Sequence, residues 1–269
     1  NQLNNFLIKE SKYLKSGIIE KLPFIGIHAE AGVGKSRLIH EFIHNTINFD
    51  ETLLDQSLFN NLLYPYITRP NRGDTLNLSR GLYASNPSVI STLLNDKNNP
   101  SFALGDLAEA NALPVESAHD ALSDVRTTIS LARFIKDADT TTWNQLKMTM
   151  NAKETIAFIN KHKAFSNVNF YFGKPYVYAL SLICEDSDWN GYFHTIDLKY
   201  DPEPLLNASV DQLKVMLSKK KRWIIPNKNP LIFDAKFAKN FPPYNDISAD
   251  ILNERAKNFR LHSSYNFSF

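Results

Sequence analysis

His119-Asp120-Ala121-Leu122-Ser123-Asp124-Val125-Arg126-Thr127-Thr128 opens a segment whose apolar residues recur at helical spacing. Leu122, Val125, Ile129, Ala132 and Ile135 fall on one face of a 3.6-residue period, which predicts a helix from about His119 to Lys136. His119 stands at the helix entrance and Asp124 a turn and a half further on, so both can reach one cleft beside the stripe. An imidazole that takes a proton from water, next to a carboxylate that holds a divalent cation, suits metal-assisted phosphodiester hydrolysis. A surface pair or a capping arrangement uses the same spacing, so the neighbouring sequence has to decide.

Upstream, Pro100-Ser101-Phe102-Ala103-Leu104-Gly105-Asp106-Leu107-Ala108-Glu109-Ala110-Asn111 leads into Ala118-His119-Asp120. Together these resemble the third motif of the DnaQ-like 3′→5′ exonucleases of the DEDDh type, and within them the bacterial exodeoxyribonuclease I family. The resemblance runs from about residue 45 into the low 260s. Asn45-Thr46-Ile47-Asn48-Phe49-Asp50 before a helix from Glu51 to about Leu63 resembles the second motif, with Leu54, Leu58 and Leu62 expected on one stripe. By its residue type alone, Asp50 also reads as a helix N-cap. Leu76 to Tyr83 reads as a further helix after a Pro/Gly-punctuated loop.

Beyond Lys136, Asp137-Ala138-Asp139-Thr140-Thr141-Thr142 has the composition of a domain edge, followed by a helix over about 152–161. Val168–Phe172 and Tyr176–Cys184 read as strands, Trp189-Asn190-Gly191 as a turn, and Tyr192–Leu198 as the returning strand. In the family this region is an SH3-like β-barrel that helps form a channel for single-stranded DNA. The resemblance therefore implies aromatics that stack bases and a basic run, Lys219-Lys220-Lys221-Arg222-Trp223, that follows phosphates. Aromatics in a small barrel also serve as core, and a basic run as a solvated turn. Ile247–Leu261 reads as one helix with Ile251 and Ala256 inward and Arg255, Lys257 and Arg260 outward, the start of the family's helical domain.

Residues 1–44 carry a different wording. Phe24-Ile25-Gly26-Ile27 suits a buried strand, and Ala29-Glu30-Ala31-Gly32-Val33-Gly34-Lys35-Ser36 then opens a helix. That order is the P-loop context, in which backbone N–H groups, Lys35 and Ser36 would hold phosphates and Mg²⁺. It resembles the start of an AAA- or STAND-type ATPase module. Gly32, Gly34, Lys35 and Ser36 are thus the ATP-binding residues under that alternative. A P-loop enzyme also needs a second acidic strand end on a parallel sheet. The best later match is Val177 to Asp186.

The bulk numbers fit a folded, soluble chain. The 269 residues are 43% hydrophobic and 22% charged, with a net charge of +2, so contact with polyanions must come from local patches. The single cysteine, Cys184, excludes an internal disulfide. No apolar run reaches the ~18 residues that span a bilayer, and no signal-peptide pattern opens the sequence. A cytoplasmic monomer is the expectation.

The resemblance implies a fold class: an α/β, ribonuclease H-like (DnaQ-like) exonuclease domain lacking its first strands, then the SH3-like barrel and the start of a helical domain. The corresponding boundaries are 1–44 for the P-loop-like segment, 45–137, 150–245 and 246–269. Carried onto this sequence, His119 is the general base, Asp50 and Asp124 are catalytic metal ligands, Mg²⁺ is the cofactor and single-stranded DNA the partner. The family's Asp-x-Glu pair on the first strand has no counterpart. No aspartate precedes Asp50, and the only acids before it are Glu10, Glu20, Glu30 and Glu41. The expected activity, 3′→5′ hydrolysis of single-stranded DNA, is therefore an impaired one. The other alternative is a single-strand binder without the chemistry.

Overall fold

A computed structural model describes residues 51–65, 72–114, 121–186 and 191–263. Helices dominate up to residue 161, and a five-stranded antiparallel sheet follows. Among the described residues no helix is long and apolar enough to cross a membrane.

Helix α1 spans Glu51–Asn60, and α2 spans Thr75–Ser85. The α1 stripe is shorter than expected. Leu58 is buried, but Leu62 lies beyond the helix end at a φ of +57° and is 96% exposed. A left-handed residue turns its side chain off the helical face, so spacing alone could not place it. Asp74 caps α2 by accepting from the N–H groups of Leu76 and Asn77. Gly81 lets α2 approach its neighbour, because a Cβ there would sit 2.6 Å from Leu146 Cδ1.

Helix α3 covers Leu104–Ala110 and α4 covers Ala121–Ala138. The α4 helix is where periodicity placed it, but its buried face is rotated. Asp124, Thr127, Leu131 and Ile135 are buried, whereas Val125, Ile129 and Ala132 are only half-buried. Three helices pack on α4, namely α2, α3 and the next one, so no single apolar stripe marks its inner side. That next helix, α5 at Thr140–Met148, occupies the stretch read as a domain edge. Asp139 is its N-cap, accepting from the Thr142 N–H and hydroxyl. Within that stretch the Asp/Thr composition thus marks a helix start. Helix α6 follows at Ala152–Lys161.

Strands β1 (Phe165–Tyr171), β2 (Lys174–Glu185), β3 (Phe193–Asp197), β4 (Lys221–Ile224) and β5 (Leu231–Asp234) pair in the order β4-β3-β2-β1-β5. Short helix α7 (Glu203–Leu206) and α8 (Val210–Lys220) connect β3 to β4. The β1–β2 hairpin turns at Phe172 and Gly173, both with positive φ, which matches the right-handed twist of its strands. Alternation along β1 separates two cores. Val168 and Phe170 join the larger cluster with the helices, while Phe165 packs with Leu180, Phe193, Ile224 and Ile232. Ile159 of α6 seals that smaller cluster.

Helix α9 (Ala249–Ser263) lies against β2. Its inward residues are Leu252, Ala256 and Phe259, and Ile251 is 43% exposed, against expectation. Arg255 also departs from its expected outward position, donating to the backbone oxygens of Leu198 and Lys199 at 3.0 Å each. Tyr244 ties the segment before α9 to the sheet by donating its hydroxyl to buried Asp197 at 2.6 Å.

Candidate functional site

Two regions bear on function. The first is the start of α4. Asp124 lies in its first turn, 9% exposed, beside buried Ser123 and Thr127. Thr127 donates to the Pro114 backbone oxygen at 3.3 Å, holding this turn against the preceding loop. Asp50, His119 and Asp120 lie outside the described residues, as do Gly32, Gly34, Lys35 and Ser36. Among the described residues no group of three His, Cys, Asp or Glu side chains is gathered as a metal site would need. Asp124 by itself does not make a metal site, and no catalytic step through a cation follows from it alone. The stretch from Val177 to Asp186 forms most of β2, with antiparallel neighbours on both sides. It does not provide the parallel strand end a P-loop enzyme requires.

The second region is a cavity of about 370 Å³ between α2 and the sheet, lined by residues of α2, β1, β4 and the β4–β5 connection. Register explains why it exists. β5 pairs with β1 only as far as Val168↔Leu231, leaving Asn169, Phe170 and Tyr171 without that neighbour. Trp223 and Ile224 of β4 line the same cavity as Asn167 to Tyr171, although two strands separate β4 from β1 in the sheet. The sheet is therefore curled, and the cavity lies along its rim.

Chemically the rim is aromatic and basic. Tyr171, Phe172, Tyr176 and Trp223 expose between 44% and 81% of their surface. Tyr171 and Tyr176 meet edge to face. Lys221 lies over the Trp223 ring at 5.1 Å and Arg222 over the Tyr178 ring at 4.6 Å. From α2, Arg80 places its guanidinium 5.5 Å from the Phe170 ring centroid and 5.7 Å from that of Phe102. Burial draws the Arg80 guanidinium below its usual range and nearby Asp74 draws it back, so it stays cationic at neutral pH. The strand aromatics thus divide: Phe165 and Phe193 are core, whereas four others face solvent. The basic run also divides. Lys220 ends α8, and Lys221 and Arg222 begin β4.

Sequence reasoning missed Asn77, Arg80 and Asn167. Asn77 and Arg80 sit three residues apart on α2 and Asn167 on β1, so only folding brings the two elements to one cavity. Asn167 is 3% exposed and donates through Nδ2 to the Leu231 oxygen at 3.1 Å. Its Oδ1 has no hydrogen-bond partner among the described residues. An unpaired buried acceptor of this kind costs on the order of 1–3 kcal/mol.

Asp74, which starts α2, is buried, and burial raises its carboxyl above 3.8 against the pull of the Leu76 and Asn77 N–H groups. A folded-state pKa above the unfolded value means the folded chain binds the proton more tightly. The resulting stabilisation is complete below pH 3.8 and is lost as pH rises through the folded value. Asp74→Asn keeps a capping oxygen without the charge. Its urea midpoint is expected to equal or exceed that of the parent at pH 7, with the difference shrinking toward pH 4. An Asn variant weaker than the parent at pH 7 and matched to it at pH 4 would show that the charge stabilises the fold.

No family profile matches the chain. Exodeoxyribonuclease I of Haemophilus influenzae is 36% identical over 98 residues, which is 35% of this chain and 21% of the relative. Exodeoxyribonuclease I of Escherichia coli is 28% identical over 183 residues, 65% of this chain and 38% of the relative. A crystal structure of E. coli exonuclease I in complex with a dT13 oligonucleotide superposes with a TM-score of 0.65 at 22% identity, covering 86% of this chain and 56% of that one. The chain is similar to exodeoxyribonuclease I in sequence and in fold. A second structure of the same nuclease, with a dA16 oligonucleotide, gives a TM-score of 0.64 over 88% of this chain and 59% of that one. The fold class is accordingly that of exonuclease I, α/β with ribonuclease H-like and SH3-like parts. The chain spans less than two fifths of the length of these two curated relatives.

Proposed function

We propose that this chain is a 3′→5′ exodeoxyribonuclease by lineage that binds single-stranded DNA along the rim of the curled sheet and hydrolyses it weakly. The observation that carries the reading is the shared fold over 86% of the chain with a nuclease seen holding dT13. The rim supports it, because exposed rings and adjoining cations are what sequence-tolerant single-strand binding uses. Asp50 and Asp124 are the side chains assigned to a divalent cation, Mg²⁺ by preference, and His119 the group that takes a proton from the attacking water. When bound, such cations activate water and stabilise the departing oxygen. The sequence offers no Asp-x-Glu pair before Asp50, so the donor set is short and the rate low. The proposed organisation has the nuclease-like part at 45–137, the SH3-like part at 150–245 and a helical part from 246, in a monomer working in the cytoplasm.

The test is a 5′-labelled single-stranded oligonucleotide incubated with Mg²⁺ or Mn²⁺, and in parallel with EDTA. Slow shortening from the 3′ end that EDTA stops is the expected result. Salt-sensitive binding with no shortening would leave a single-strand binder without catalysis. Absence of both would overturn the proposal.

A further inference from the structure

Two walls of the rim cavity are fastened together by a residue that does not line it. Asn229 sits in the β4–β5 connection, 1% exposed and left-handed at a φ of +47° and a ψ of +57°, a conformation asparagine tolerates better than most residues. Its neighbours Lys228 and Pro230 both line the cavity, as do Asn77 and Arg80 of α2. The Asn229 side chain joins two helix ends. Its Oδ1 accepts from the N–H of Asp74, the N-cap of α2, at 3.1 Å, and its Nδ2 donates to the hydroxyl of Thr149, which ends α5, at 2.9 Å. Those two helix ends are themselves tied, since the Arg72 N–H donates to the Met150 oxygen at 2.8 Å. In return, Asn77 donates from α2 through its Nδ2 to the Asn229 backbone oxygen at 3.2 Å. The partners lie 80 to 155 positions away in sequence, so these bonds place the connection on the helices and do not shape a local turn.

We infer that Asn229 is a positioning residue that keeps the rim cavity preformed for single-stranded DNA. The inference rests on the single-strand-binding reading above and adds how that site is held ready. Residues 225–230 lie between β4 and β5, outside the ladder pairing of the sheet. Side-chain bonds to the helices therefore set how far Lys228 and Pro230 stand from α2. Without the Asn229 amide the connection samples placements in which the cavity is wider or closed. Binding then draws on the competent fraction alone, and the apparent affinity falls by that fraction. A strand that binds only this fraction arrives more slowly, while its departure, from the same bound state, keeps its rate.

The experiment measures association and dissociation of labelled oligo(dT) by stopped-flow fluorescence anisotropy for the parent, Asn229→Gly and Thr149→Val. Leaving out metal keeps catalysis out of the readout. Glycine retains the left-handed backbone and removes the amide. Valine removes the acceptor of the Asn229 Nδ2 and leaves the connection's own sequence intact, so the test stands even if the glycine variant fails to fold. Each variant is expected to bind about fivefold more weakly, through an association rate about fivefold lower and an unchanged dissociation rate, as a competent fraction of about one fifth requires. A role in stability alone would lower the urea midpoint and leave both rates of the folded protein as they are, and that result would overturn the inference. So would faster dissociation at unchanged association, which marks a lost contact and not a lost placement. Failure of the parent to bind oligo(dT) would remove the single-strand-binding reading itself, and the inference with it.

Discussion

Gly173→Ala is expected to destabilise the protein by about 2–4 kcal/mol, the sum of a left-handed backbone penalty and overpacking. Gly173 sits at the β1–β2 turn with a φ of +70°, and a Cβ there would lie 2.3 Å from the Pro100 backbone oxygen. The obstacle is main chain, held in a bridge between Leu94 and Pro100, so no side-chain rotation relieves it. The hairpin would have to lift, carrying with it Phe170, which packs edge to face on Phe102. A thermal midpoint lowered by about 5–15 °C follows from the usual scaling for a chain of this size. Gly105→Ala is the control, since a Cβ at that helical position meets nothing within 4 Å. That change should leave the midpoint unchanged or raise it, as alanine favours a helix by up to ~1 kcal/mol over glycine. Similar midpoints for the two variants would show that the turn does not hold the hairpin against the Pro100 loop.

The second large effect concerns chemistry. Asp124→Asn is expected to lower metal-dependent shortening of single-stranded DNA at least about a hundredfold, equivalent to about 2.7 kcal/mol of transition-state stabilisation. With no Asp-x-Glu pair ahead of Asp50, few carboxylates remain, and neutralising one of them leaves little to hold a cation. Asparagine preserves the shape of a side chain that is 9% exposed, so the fold should survive, as an unchanged circular dichroism spectrum would confirm. Oligonucleotide binding in EDTA should also persist, because the rim that carries it is built from other residues. Equal shortening by parent and variant would remove Asp124 from the catalytic set.

The helices over 75–85, 121–138 and 152–161 and the strands from 165 to 197 are legible in the sequence because their periodicities are strong and local. The nuclease lineage is legible from the wording around His119 and Asp124, though of these two only Asp124 lies among the described residues. Orientation is less legible. Leu62 and Ile251, expected inward, are exposed, and Arg255, expected outward, hydrogen-bonds to the sheet's connecting backbone. For Ile251 and Arg255 the side faced depends on which neighbour packs against the helix, and for Leu62 on the left-handed backbone past the helix end.

Residue types and their spacing determined the helices over 75–85, 121–138 and 152–161, the strands from 165 to 197, and the lack of an Asp-x-Glu pair before Asp50. These follow from interactions within a few residues, or from composition itself. Tertiary structure alone decided that the inner side of α4 runs through Asp124, Thr127, Leu131 and Ile135, and that β4 curls round to face β1. It also decided that Arg80 and Asn167, 87 positions apart, line one cavity. Such proximity arises from burying two faces of one curled sheet at once, and no local pattern encodes it.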